Sequence, residues 1–150
     1  MNSSPPAAPR LFIVDDDVRS ARCLASMLEE DGFVVEVLKD GREALERLEV
    51  GPPPDGIITD LIMPRAGGIA VLGAARRRKK DVQVIFVTGH PELLAPPPIG
   101  RRGDRAPFES IGLLPEPLVL TKPVSYAQLA EALRPLLERS PRGAKVASNG

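Results

Sequence analysis

The sequence predicts a single α/β domain built on a parallel sheet, and two observations carry that prediction. Short apolar runs alternate along the 150 residues with segments in which apolar residues recur at helical spacing. The runs are continuously apolar, which is typical of strands covered on both faces by helices. Because 43% of the chain is hydrophobic, it can form a proper core, whereas its 17 prolines exclude regular structure throughout.

The first strand and helix are predicted within residues 11–28. The run 11–14 reads LFIV, and Asp17 stands where a helix N-cap is expected. Gly32 then supplies a stop for the helix. Cys23 falls inside this helix and is expected to be a small buried apolar residue. The inward face of the helix is predicted to carry Val18, Ala21, Ala25 and Leu28.

The second and third units follow the same plan. The run 33–38 (FVVEVL) predicts a strand, and Asp40 with Glu43 forms a capping box for the next helix. The run 56–59 (GIIT) predicts the third strand, and a helix is expected from about Gly67. The inward residues of that helix are Ile69, Leu72 and Ala75.

The last two strands are predicted at 82–88 (VQVIFVT) and 118–120 (LVL). Ser125 and Gln128 can form a capping box at the start of the final helix. Pro135 removes one hydrogen bond from that helix, so a kink or an early end just before it is expected. The apolar face of the helix is predicted to carry Leu129, Leu133 and Leu136.

Strands alternating with helices at this spacing imply right-handed crossovers and helices on both faces of the sheet. Five strands fit a flavodoxin-like fold with the order 2-1-3-4-5. Residues 91–117 hold seven prolines and an arginine cluster, so the fourth helix of the pattern is expected to be shortened or irregular. We expect one domain over 10–139, with disordered ends at 1–9 and 140–150.

Charge and composition exclude several classes of partner. Twenty Lys and Arg balance twenty Asp and Glu, so the chain offers no general attraction to nucleic acid or to an anionic membrane. No segment has the length of a membrane span or of a signal-peptide core. The single cysteine cannot form an internal disulfide, which fits a reducing compartment. A cytoplasmic protein that binds neither nucleic acid nor membrane is therefore expected.

Polar residues follow four of the five predicted strands directly. The carboxyl ends of parallel strands are where ligands bind in an open α/β sheet. Neighbouring carboxylates repel one another unless a cation joins them, and oxygen ligands of this kind suit Mg²⁺. A lysine and a hydroxyl can hold the oxygens of a phosphoryl group. The set is Asp15, Asp16, Asp17, Asp60, Thr88 and Lys122.

Four motifs at these strand ends, "VDDD", "TDLIMP", "VTGH" and "TKP", resemble in this order the receiver domains of two-component response regulators, of the single-domain type. The resemblance covers roughly 10–139 and implies that Asp60 is the phosphoacceptor. It also implies a Mg²⁺ site in which Asp16 binds directly and Asp15 through water. Asp60 and the main-chain carbonyl of Ile62 would complete that site.

The resemblance further implies that Thr88 and Lys122 bind the phosphoryl oxygens that the metal leaves free. The family has a small residue at the position of Gly89, which leaves the phosphate reachable. His90 stands at a position that in the family can influence the rate of phosphate loss. The alternative is that His90 is a solvated loop histidine. Val119 occupies a position where the family carries an aromatic ring, so the usual coupling to the output surface is in question.

The implied function is that of a signalling domain rather than an enzyme with a separate substrate. The chain would assist its own phosphorylation and dephosphorylation. A sensor histidine kinase or a histidine phosphotransfer protein would supply the phosphoryl group, and a downstream protein target or an onward phosphorelay would receive the signal.

Two alternatives stay open. Phosphatases of the haloacid dehalogenase type also place two acids after the first strand, and here Asp15 would be the nucleophile and Asp17 the general acid. The chain lacks the acidic pair that this class needs after Lys122. A receiver-like binding module that takes no phosphate is the other alternative.

Overall fold

The computed structural model describes residues 8–63, 65–90 and 117–139, and it confirms the predicted α/β fold. Five parallel strands form one sheet in the order β2-β1-β3-β4-β5. The strands are β1 (Arg10–Val14), β2 (Val34–Leu38), β3 (Gly56–Thr59), β4 (Gln83–Thr88) and β5 (Leu118–Thr121). The described helices are α1 (Val18–Glu30), α2 (Gly41–Glu49), α3 (Gly68–Arg78) and α4 (Tyr126–Arg139).

The continuous apolar runs serve two cores, one on each face of the sheet. In β1, Phe12 and Val14 pack with α2 and α3, whereas Leu11 and Ile13 pack with α1 and α4. All four side chains are buried, because neither face of the strand is open to water. Burial on both faces explains why β1 and β3 show no polar alternation.

Asp17 and Asp40 begin their helices as the sequence predicts. The Asp17 carboxylate accepts the backbone N–H of Ser20 at 3.2 Å and its hydroxyl at 2.6 Å. Asp40 caps α2 in the same way, accepting the backbone N–H of Glu43 at 2.8 Å. Each cap satisfies a donor that the first turn of a helix leaves free.

The C-terminal helix α4 begins with the predicted capping box and passes through its proline. Ser125 N–H donates to the Gln128 side chain at 2.9 Å, and Gln128 N–H donates to the Ser125 hydroxyl at 3.2 Å. The expected early end before Pro135 is wrong, because α4 continues to Arg139. Leucines on both sides of Pro135 are buried in the core, and this packing outweighs one lost hydrogen bond.

Cys23 is exposed, so its predicted burial is wrong. The buried stripe of α1 follows Ala21, Ala25 and Leu28. A residue two positions after Ala21 is rotated by about 200° on a helix, which turns it away from the sheet. The helical spacing predicts the stripe correctly, but it does not place Cys23 on it.

The predicted ends of the domain fall partly outside the described residues. The region of the expected irregular helix, 91–116, and the predicted tail 140–150 lie outside them. Pro9, which the sequence places in the N-terminal tail, is buried, and its carbonyl accepts the N–H of Val34 at 2.9 Å. Among the helices described, none is long and apolar enough to span a bilayer.

Three side chains of the basic run 76–80, at the end of α3, contact neighbouring elements of the fold. Arg76 donates to the carbonyl of the residue before β4 at 3.1 Å. Arg78 donates to two carbonyls at and after the end of α2, one of them at 2.9 Å. Lys79 pairs with Asp55. These three side chains therefore bridge elements of the fold.

Replacing Asp55 by Asn is expected to remove a pH-dependent part of the stability. Burial alone would raise the pKa of Asp55, but the hydrogen bonds from Lys79 and from the Arg10 N–H outweigh it and the net pKa is lowered. A lowered pKa stabilises the fold above the unfolded value of about 3.9, and this contribution is lost as the pH falls through the folded value.

The measurement is the urea midpoint of wild type and Asp55→Asn at about pH 7 and about pH 3, on either side of the carboxyl pKa. We expect wild type to be more stable than Asp55→Asn at the higher pH, and this difference in stability to be smaller at the lower pH. An equal difference at both pH values would contradict the assignment.

Candidate functional site

The candidate site lies at the carboxyl edge of the sheet, where β1, β3, β4 and β5 end. Backbone hydrogen bonds carry the sheet ladder one residue past the strands. Asp60 N–H donates to the Val14 carbonyl at 3.4 Å, and Lys122 N–H donates to the Thr88 carbonyl at 2.9 Å. These bonds fix the backbones that carry Asp60 and Lys122. The sheet thereby brings together two residues that are 62 positions apart in the chain.

Lys122 and Asp60 form an ion pair. The ammonium Nζ lies 2.9 Å from the Asp60 carboxylate Oδ2. This hydrogen bond raises the pKa of Lys122 against the opposing effect of burial, and the charges of Asp60, Asp15 and Asp16 raise it further. The lysine is therefore fully charged at neutral pH and faces all three acids. The Lys122–Pro123 peptide bond that follows is cis.

Asp15 and Asp16 form the acidic side of the site. Burial raises the pKa of Asp15 most, and the hydrogen bond and charge of Asp16 raise it further. The N–H of Asp17, 2.9 Å from Asp15 Oδ1, and the charge of Lys122 act in the opposite direction. Asp16 itself is exposed. The net result is a pair of like charges that a cation would stabilise.

These residues fit a hydrated Mg²⁺ better than a closed metal centre. Within the described parts of the chain, no three His, Cys, Asp or Glu side chains form a group that could hold a metal by themselves. Mg²⁺, however, keeps several waters and usually takes one or two carboxylates, and Asp15 and Asp16 could offer two. Ile62, the predicted carbonyl ligand, is 54% exposed, and its N–H lies 3.3 Å from Asp60 Oδ1.

Thr88 is fully buried at the end of β4, next to the loop that carries Gly89 and His90. The Thr88 hydroxyl accepts the N–H of His90 at 2.9 Å. A hydroxyl that accepts one bond still has its own hydrogen to donate. Among the residues that the structure describes, none but the chain neighbours of Gly89 lies within 4 Å of a Cβ placed on it. Both Gly89 and His90 are exposed.

A cavity of about 700 Å³ extends from the site into the space between α1 and α4. Asp15, Asp60 and Lys122 line one end of it. The remainder of its lining is mostly apolar and comes from α1, from the strands and from the start of α4. The sequence gives no signal for this cavity, because its walls come from segments far apart in the chain.

Two further residues shape the backbone of Asp60, and the sequence analysis did not single them out. The Thr59 hydroxyl donates to the Asp60 carbonyl at 3.0 Å. Gly68, the first residue of α3, packs so closely that a Cβ would lie 2.7 Å from the Asp60 carbonyl oxygen and 2.7 Å from a ring carbon of Phe86. The glycine pair that ends at Gly68 is the sequence signal that could have indicated this contact.

Proteins of similar sequence match half of the chain or more. The "Acid tolerance regulatory protein ActR" of Rhizobium meliloti is 36% identical over 80 residues, which are 53% of this chain and 41% of the relative. The "Transcriptional regulatory protein PrrA" of Mycobacterium leprae is 32% identical over 143 residues, which are 95% of this chain and 55% of the relative. The chain thus spans about half the length of these relatives.

Solved structures and a family profile agree with this similarity. A response regulator receiver protein from Sinorhizobium medicae is 27% identical with a TM-score of 0.69, covering 88% of this chain and 96% of that one. The receiver domain of the hybrid histidine kinase CckA is 25% identical with a TM-score of 0.64, covering 85% and 97%. The profile described as "Response regulator receiver domain" matches residues 11–95, more than half of the chain. The chain therefore belongs to the family of response-regulator receiver domains, as the four motifs at its strand ends predict.

Proposed function

We propose that this receiver domain accepts a phosphoryl group on Asp60. The donor would be a phosphohistidine of a sensor histidine kinase or of a phosphotransfer protein. The observation that carries the proposal is the Lys122 ammonium, held 2.9 Å from the Asp60 carboxylate among two further acids. A carboxylate beside a fixed cation is arranged to take a group that brings several negative oxygens.

In the proposed reaction, an Asp60 carboxylate oxygen forms a bond to phosphorus while the phosphorus–nitrogen bond of the donor breaks. The imidazole leaves with the electron pair of that bond and takes up a proton. Lys122 moves its hydrogen bond from the carboxylate to a phosphoryl oxygen. Thr88 donates its hydroxyl hydrogen to another phosphoryl oxygen while it still accepts the His90 N–H.

Asp15 and Asp16 would hold Mg²⁺, together with the Asp60 carboxylate and the Ile62 carbonyl. The bound ion would supply charge neutralisation on the phosphoryl oxygens. The pKa of Asp15, raised mainly by burial and further by Asp16, supports a cation at this position. His90 borders the site through its backbone contact with Thr88, and we propose it, with the adjacent Gly89, as a modulator of phosphate lifetime.

The geometry of Asp17 argues against the phosphatase alternative. Its carboxylate is engaged at the start of α1, where hydrogen bonds from the Ser20 hydroxyl and N–H lower its pKa. A general acid needs a raised pKa to hold a proton at neutral pH. Asp17 therefore serves the helix, and no observation in the described residues favours the phosphatase or the phosphate-free binding module.

Output would follow from a change in protein binding or from onward transfer of the phosphoryl group. Because the chain spans about half the length of its relatives, the partners and the downstream response of the whole protein are part of the proposal. The same proposal places the domain in the cytoplasm, where an exposed Cys23 stays a free thiol.

The test is the intact mass of the protein after incubation with a small acyl phosphate and Mg²⁺. We expect a gain of one phosphoryl group, because a small acyl phosphate presents the same transferable group as a phosphohistidine. Chelation of the metal should prevent the gain, since the acids would then repel the incoming oxygens. A mass that stays unchanged with Mg²⁺ and an excess of donor would contradict the proposal.

A further inference from the structure

Tyr126, the first residue of α4, is anchored to the far end of α1. Its hydroxyl lies 3.1 Å from the Met27 carbonyl in the last turn of α1 and is also bonded to the carboxylate of Asp31, which caps that helix. These two contacts span 99 and 95 positions of the chain. They join two helices that both contribute residues to the lining of the cavity.

The cavity makes this anchor important for the position of Lys122. Only residues 122–125 separate the end of β5 from Tyr126. Tyr126, Met27 and Lys122 all line the cavity, so α1 and α4 do not pack fully against each other beside the site. Side chains that line an open cavity make fewer packing contacts than side chains in a filled core. Directional hydrogen bonds then determine how the start of α4 is placed relative to α1.

We propose that Tyr126 is a positioning residue for Lys122: by holding the start of α4 on the end of α1, it sets the loop that carries the ammonium against Asp60. The loop is fixed at its other end by the hydrogen bond from Lys122 N–H to the Thr88 carbonyl. With both ends fixed, residues 122–125 have little freedom. The effect on phosphoryl transfer rests on the proposed function, whereas the effect on the loop does not.

The experiment is hydrogen exchange on wild type and Tyr126→Phe, read at the Lys122 amide relative to the Asp60 amide. Phenylalanine keeps the ring and removes the hydroxyl. We expect the ratio of the Lys122 exchange rate to the Asp60 exchange rate to rise roughly three- to tenfold in Tyr126→Phe. The reason is that this variant loses a partly exposed hydrogen bond to a carboxylate. The rate of phosphoryl gain from the acyl phosphate should fall in the same variant.

Gln128→Ala is the matched control. It removes the side chain that caps the same first turn of α4 through Ser125, but it leaves the Tyr126 contacts with α1 in place. We expect this variant to leave the ratio of the Lys122 and Asp60 exchange rates unchanged. An equal rise of the ratio in both variants, or no rise in Tyr126→Phe, would overturn the positioning role.

The ionisation of Tyr126 tests the anchor itself. Burial, followed by the hydrogen bond to Asp31 and the charges of Asp31 and Glu30, raises the pKa of Tyr126 to about 12. The chain has one tyrosine and no tryptophan, so near-ultraviolet absorbance reads this phenol alone. At about pH 11 the Tyr126 phenol of wild type should be mostly protonated. In Asp31→Asn the phenol should be more ionised, because the pKa of Tyr126 then lies nearer 10. Equal ionisation would overturn the anchor.

Hydrogen exchange and phosphoryl gain together distinguish failure of the positioning role from failure of the proposed function. If wild type gains no phosphoryl group, the proposed function fails, and the exchange ratio still decides whether Tyr126 positions the loop. If wild type is phosphorylated and Tyr126→Phe changes neither the exchange ratio nor the rate, the positioning role fails and the proposed function stands.

Discussion

Replacing Asp60 by Asn is expected to abolish phosphoryl gain from an acyl phosphate. An amide cannot attack phosphorus as a carboxylate does, and it also loses the ion pair with the Lys122 ammonium. The fold should persist, because Asn keeps the size of Asp and the backbone contacts of residue 60 run through its N–H and carbonyl. The measurement is intact mass after incubation with donor and Mg²⁺, with circular dichroism as a check of folding.

Asp17→Asn is the matched control within the same acidic set. Asn is as good an N-cap as Asp, so α1 should begin as before, and the change removes a charge from the neighbourhood of the site without touching Asp60. Phosphoryl gain should therefore continue. A gain that survives in Asp60→Asn but disappears in Asp15→Asn would contradict the assignment of the nucleophile.

Replacing Gly68 by Ala is expected to destabilise the protein by about 1–3 kcal/mol or more, the usual cost of overpacking a filled site. The added Cβ would lie 2.7 Å from both the Asp60 carbonyl oxygen and Phe86, and 3.1 Å from the Leu61 Cα. Two of these neighbours are backbone, so the strain cannot be relieved by turning a side chain. Because Asp60 itself is pushed, phosphoryl gain should slow as well.

Gly73→Ala provides the opposite case in the same helix. Within the described parts of the chain, a Cβ there meets only the end of the Arg77 side chain at 3.6 Å, an ordinary contact. Removing a glycine from the interior of α3 should stabilise the fold by up to about 1 kcal/mol. Urea unfolding of both variants measures the two effects. If Gly68→Ala were as stable as Gly73→Ala, the close approach of α3 to Asp60 would be refuted.

The sequence predicts the fold well because its signals are local and repeated. Five apolar runs, two aspartate caps and the capping box of α4 each depend on residues within a few positions of one another. Their alternation then leaves few topologies for a parallel sheet. The same rule of parallel sheets predicts that Asp60 and Lys122 meet, since both follow strands that end at one edge.

What the sequence does not predict depends on contacts between distant segments. Nothing near Tyr126 indicates that its hydroxyl reaches the end of α1. The early end expected at Pro135 does not occur for a related reason, because core leucines on both sides let the helix continue to Arg139. Local rules give way where tertiary packing supplies more free energy than a single backbone bond.

The ion pair between Lys122 and Asp60 means that the resting domain already holds a positive charge where the proposed reaction needs one. A cation that is in place before the donor arrives costs little reorganisation energy at the moment of transfer. On the proposed function, the delay before signalling is then set by the encounter with the donor rather than by rearrangement of the site. Loss of the phosphoryl group would then allow the ammonium to pair with the Asp60 carboxylate again, as it does in the resting domain.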